Sequence, residues 1–253
     1  MSERRKWTRE EEIIVLKLYC EIPFKNSSKS HPKIIEVAKL INRSPSSVNM
    51  KIGNFGSFDF ALKQKGIVGL SNASKLDEEI WNEFNDNWNK LTYECERIKE
   101  KLINCNADNN FVIPKGKERI ATVKQRVHQD FFRNAVLSSY NNYCCITGIL
   151  TSQLLIASHI KPWNESDDSE KTNPTNGLCL NGLHDKAFDM GFITVDENYT
   201  IHISDDVSDA VDGNAVERYF KFYDGKKIIL PDRFLPNKVY LQYHNDVIFE
   251  SWK

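Results

Sequence analysis

The run Tyr143 to Ser204, YCCITGILTSQLLIASHIKPWNESDDSEKTNPTNGLCLNGLHDKAFDMGFITVDENYTIHIS, decides how this 253-residue chain is read. Its local grammar is strand, loop, short strand, helix. Leu154, Leu155 and Ile156 form an apolar run that ends in Ala157, Ser158, His159 and Ile160, which predicts a buried strand delivering a histidine at its end. A polar loop follows, and Asn173-Pro174-Thr175 marks a turn. Asn176-Gly177 then opens a short apolar strand, Leu178 to Leu180, and a helix is expected from near Leu183 or His184. Phe188 lies one turn beyond His184, where it can pack that helix on the hairpin.

His159, Asn176 and His184 form the constellation with a coherent chemical purpose. Hydrolysing a phosphodiester requires an activated water, neutralisation of charge on the phosphoryl group and stabilisation of the departing oxygen. A neutral imidazole at His159 can take the water proton near physiological pH. Neutral His184 can hold a divalent ion beside the scissile phosphate, and the Asn176 amide can bridge two loops and orient His159. Taken singly, each histidine reads as a satisfied structural residue and Asn176 as a turn asparagine. Their joint placement carries the functional reading. The acidic loop Asp167, Asp168, Glu170 lacks the alternating ligands and central glycine of a calcium loop and is read as solvated. Trp163 is expected to pack beneath the histidine, and His202 and His244 are read as structural.

On these residues the sequence resembles the HNH endonuclease superfamily, whose core is the ββα-metal fold. The likeness is to the restriction-endonuclease-like branch, through Cys145-Ile146-Thr147-Gly148, the ASHIKPW run of Ala157 to Trp163, NPTNGLCLN from Asn173 to Asn181 and HDKAFDMGFI from His184 to Ile193. Arg126, Gln129, Phe132, Arg133 and Tyr140 look like that branch's lead-in helix. Asp224-Gly225-Lys226 and Pro231 look like its tail. The resemblance implies a metal-dependent DNA endonuclease with His159 as general base, His184 as ligand of one divalent ion, Mg2+ or Mn2+, and products bearing a 5′-phosphate and a 3′-hydroxyl. It implies double-stranded DNA as partner and a restriction or host-defence setting. Two departures matter. Ser158 stands where many relatives have a metal-holding aspartate, with Asp185 and Asp189 as nearby carboxylates of undetermined direction. Cys144, Cys145 and Cys179 do not supply the paired motifs of a structural zinc, so none is expected.

Working outward, the charge balance is near neutral, 34 basic against 35 acidic side chains, yet residues 1–65 carry 13 basic and 7 acidic. This N-terminal surplus favours an acidic partner. Thr8 and Glu11 match a capping box ahead of an apolar helix that ends before Pro23. Pro32 opens a second helix, and after a turn at Asn42-Arg43, Ser44 and Pro45 begin a third. The three resemble a helix-turn-helix or Myb-like bundle, in which Lys39, Arg43 and Lys51 are the cations expected to meet DNA phosphates. The alternative for this unit is an interaction or dimerisation domain. Ile80, Phe84, Trp88, Leu91, Cys95, Ile98 and Leu102 recur on one stripe and predict a long connecting helix.

The expected organisation is therefore α+β: a helical DNA-binding domain over 1–73, a connecting helix and linker over 74–117 and an HNH nuclease domain over 118–253. No stretch reaches the roughly 18 apolar residues of a membrane span, and residues Met1 to Arg9 show no signal core. These features, with six irregularly spaced cysteines read as free thiols, are expected of a cytoplasmic protein of bacterial origin. Two further functions stay open: a partner-controlled, non-specific nicking nuclease, and a catalytically inactive DNA-binding regulator. A homodimer is allowed.

Overall fold

The computed structural model describes residues 5–106, 117–208 and 213–249. The architecture is α+β and rich in helix, with two small antiparallel hairpins. By packing, the chain divides into two compact units between Ser138 and Ser139. The expectation had placed the start of the nuclease segment at 118, and most of the linker expected over 104–117 lies outside the described residues.

The first unit is helical: α1 (Arg9–Glu21), α2 (Pro32–Leu40), α3 (Pro45–Gly56), α4 (Phe60–Gln64), α5 (Lys75–Phe84), α6 (Trp88–Asn106) and most of α7 (Lys117–Ser139). Local chemistry sets the early boundaries as anticipated. Thr8 and Glu11 close a reciprocal capping box on α1, and the Ser44 hydroxyl accepts from Ser47 N at 3.2 Å with Pro45 in the first turn of α3. Asn42 makes the intervening turn with a left-handed φ of 51°. The apolar run Ile13 to Leu16, with Leu18 and Tyr19, is buried, and the Tyr19 hydroxyl donates to Asp59, the N-cap of α4, at 2.6 Å.

Two expectations for this unit are corrected. The long connecting helix is two helices, because Asn85 leaves helical geometry and Asp86 turns at a left-handed φ of 64°. The stripe survives the break: Ile80 and Phe84 on α5 and Trp88, Leu91, Cys95 and Ile98 on α6 are all buried. The second correction concerns the cations. Lys51 is buried, its ammonium shared between Glu12 at 2.8 Å and Asp77. Arg43 pairs with Glu11 at 2.7 Å and donates to the carbonyls of Arg5 and Lys6. Trp7 lies within 4.5 Å of the Arg43 guanidinium and 4.8 Å of the Lys51 ammonium. Neither cation is offered to phosphate; Lys39, at the end of α2, is exposed.

The second unit contains β1 (Leu155–His159), α8 (Asp168–Thr172), β2 (Gly177–Asn181), α9 (Gly182–Asp189), β3 (Ile193–Val195), β4 (Ile201–Ile203), α10 (Asp205–Ser208), α11 (Gly213–Tyr219) and α12 (Lys238–Tyr243), which continues into one turn of π-helix, His244–Phe249. β1 and β2 pair antiparallel, with His159 opposite Gly177 and Ser158 opposite Leu178. β2 is buried along its whole length, which accounts for its unbroken apolar run. Asn181 then caps α9 by accepting from Leu183 N and His184 N, so the helix leaves the hairpin without a loop. Phe188 is fully buried, as expected from its place one turn along α9.

Candidate active site

The end of β1 fixes His159 at one wall of a cavity of about 370 Å³. Ile156, Ser158, Trp163, Asp185 and Asp189 share that cavity, and His244 and Ile248 close it from the C-terminal π-helical turn. Strand and helix periodicity explain the composition. β1 contributes successive residues at its terminus, while Asp185 and Asp189, four apart, project from one face of α9.

The imidazole of His159 is oriented by backbone. Its Nε2 lies 3.1 Å from the carbonyl oxygen of Lys171 on α8, and because a carbonyl can only accept, Nε2 carries the proton. In the neutral ring the lone pair is then on Nδ1. Burial pushes this histidine down to about 4, against a smaller upward pull from the Lys171 carbonyl. The ring is neutral at physiological pH. Trp163 meets it edge-on, with ring centroids 5.5 Å apart, which is the packing role expected of that tryptophan.

Asn176 holds the loop that leaves β1. Its Oδ1 accepts from Lys161 N at 2.8 Å, while its Nδ2 faces the carbonyls of Lys161 at 3.2 Å and Glu170 at 3.3 Å. Fully buried, it ties both ends of the 161–170 loop to the start of β2.

His184 departs from expectation. It does not line the cavity that holds His159. Its Nε2 donates to the carbonyl of Tyr219 at 2.7 Å, its Nδ1 meets Asn181 Nδ2 at 3.0 Å, and Phe220 and Tyr223 face it edge-on. Without a metal, its ring nitrogens meet Asn181 and the Tyr219 carbonyl and so hold α9 against the end of α11. The same cluster reaches the Cys144 thiol. Burial pushes that thiol up, but its contacts with His184 and Thr147 outweigh burial and bring it down to about 6.

Asp185 and Asp189 line the cavity that His184 does not. Burial raises the Asp185 carboxyl, partly offset by the Ser158 hydroxyl, and burial together with repulsion from Asp185 raises Asp189. Two carboxylates lining one cavity offer hard donors of the kind that suit a divalent cation, and Mg2+ is commonly held by one or two carboxylates while keeping several waters. Among the described residues no group of three His, Cys, Asp or Glu side chains is arranged around a common point for a metal. The spacing of these aspartates, four apart on a helix that follows the hairpin directly, is the signal the sequence offers for them. The contribution of His244 and Ile248 had no such signal.

With this geometry in hand, comparison with family models matches residues 144–196 to the HNH endonuclease family. A comparison with curated proteins returns no match.

Proposed function

We propose, on the premise that residues 144–196 form a domain of the HNH endonuclease superfamily, that this chain is a metal-dependent endonuclease of double-stranded DNA, and that its working centre is His159 with Asp185 and Asp189. One observation carries the reading: a neutral imidazole with a fixed tautomer shares a cavity with two carboxylates, both raised by burial and Asp189 also by repulsion from Asp185.

In this reading water binds beside His159 and its proton passes to Nδ1 as the oxygen forms a bond to phosphorus. The bond from phosphorus to the 3′-oxygen breaks on the opposite side, that oxygen takes a proton from solvent, and the products are a 5′-phosphate and a 3′-hydroxyl. Nε2–H stays on the Lys171 carbonyl throughout, so the ring's positive charge develops against an acceptor already in place. Asp185 and Asp189 are the groups that would hold a divalent cation, Mg2+ or Mn2+; when bound, it supplies charge neutralisation at the phosphoryl group. Asn176 keeps the loop in register. Trp163 limits the ring's rotation.

The likeness of the ASHIKPW and NPTNGLCLN runs to restriction enzymes supports a restriction or host-defence setting. In the first unit, the exposed ammonium of Lys39 keeps the phosphate-contacting role proposed from sequence; Arg43 and Lys51 do not. The experiment is incubation of the full chain with supercoiled plasmid in Mg2+, in Mn2+ and in excess chelator. Nicked or linear product in metal alone supports the proposal, and the ratio of the two forms separates a nicking from a double-strand activity. Intact plasmid under every metal, with retained DNA binding, favours the inactive regulator.

A further inference from the structure

We infer that Glu170 is a positioning residue for His159, acting through the α8 carbonyl that receives the imidazole proton. The inference rests on the catalytic reading of His159 given above.

Glu170 joins both sides of the 161–170 loop. One carboxylate oxygen, Oε2, accepts from the Asp167 amide at 2.9 Å, which closes the capping box that starts α8. The same oxygen pairs with Lys161 Nζ at 2.6 Å, and both side chains are about four-fifths covered. The backbone carbonyl of Glu170 faces Asn176 Nδ2. Lys161 is two residues beyond His159 on the chain, and Lys171, next after Glu170, provides the carbonyl 3.1 Å from His159 Nε2. Together with Asn176, the Glu170 side chain thereby braces the strand that carries the imidazole against the helical turn that orients it. α8 has only five residues and would not hold its place by helix propensity alone. Capping and the Lys161 pair supply what its length does not.

The chemistry of the atom shared by both contacts sets a graded test. Glu170→Gln keeps an Oε1 acceptor for the Asp167 amide and for Lys161, whereas Glu170→Ala removes both. In Glu170→Ala, cleavage is expected to fall about 10- to 100-fold, the cost of a reacting group displaced by an ångström or so, and Glu170→Gln should recover most of it. A purely structural role would also lower activity, so the deciding readout is the imidazole N–H resonance of His159, followed by 15N NMR on the full chain at neutral pH without metal. It should be protected from exchange in the wild type and in Glu170→Gln, and lost or shifted in Glu170→Ala. The acid limb of the rate profile should move to lower pH in Glu170→Ala, because the Lys171 carbonyl supports the basicity of the ring. If the His159 resonance and the acid limb are unchanged in a folded Glu170→Ala protein, the positioning role is overturned while the nuclease reading stands. If His159→Ala cleaves as well as wild type, the nuclease reading itself fails, and the NMR result still reports on Glu170.

Discussion

Each unit of this chain gathers charged or titratable side chains, buried in the first and lining an open cavity in the second, and the two gatherings are built differently. In the first unit Lys51 stands between Glu12 and Asp77, and Arg43 faces Glu11, so every cation has its anion within hydrogen-bond reach. In the second, Asp185 and Asp189 line a cavity beside a neutral imidazole; burial raises both, Asp185 also raises Asp189, and Lys186 lowers both. Opposite charges paired in this way serve the fold. A carboxylate raised by burial and by a like charge at a cavity marks a candidate functional site.

The largest break in this comparison is expected at His159. His159→Ala should lower cleavage by about 10²- to 10⁴-fold, the usual worth of a general base, with the melting temperature and metal affinity close to wild type. In the wild type the rate should hold from neutral pH down toward about pH 4 and then fall, since the base is lost only when the ring takes a proton at its depressed value. A stopped-time plasmid assay across pH checks both. The corresponding change in the first unit, Lys51→Met, should leave the chemistry intact and cost about 3 kcal/mol of that unit's stability, because it strands two buried carboxylates. Denaturant unfolding measures it, and DNA affinity at fixed salt should not change once folding is corrected for.

A smaller effect sharpens the same contrast. Burial raises Glu12 to about 7, with Lys51 pulling it down and Asp77 pushing it up. An acid whose folded value exceeds its unfolded one of about 4.5 binds more protons when folded. The first unit should therefore lose stability as pH rises from about 4.5 through about 7. Glu12→Gln should flatten that slope, which thermal unfolding at pH 5 and pH 8 will read.

Much of the second unit was legible because its signals are local. The apolar run ending at His159, the Asn176-Gly177 turn and the helix packed by Phe188 all depend on neighbours in sequence. The surroundings of His184 were not legible because they are not local. One residue's advance on a helix turns a side chain by about 100°, which separates His184 from Asp185, and the carbonyl that engages it lies 35 residues on at Tyr219. Lys51 was misread for the same reason: Glu12 and Asp77, 39 and 26 residues away, convert an outward-looking lysine into a buried one. The break at Asp86 stayed hidden because Phe84 and Trp88 keep the four-residue step across it, although the run Asn85-Asp86-Asn87 carries the turn signal.

The central claim is that the α9 carboxylates, and not His184, form the cation site beside His159. Titration of Mn2+ into the metal-free full chain, followed by electron paramagnetic resonance, tests it directly. The account predicts saturable binding by the wild type and by His159→Ala, and a loss of about tenfold or more when Asp185→Asn and Asp189→Asn are combined. Wild-type affinity in that folded double variant would contradict it.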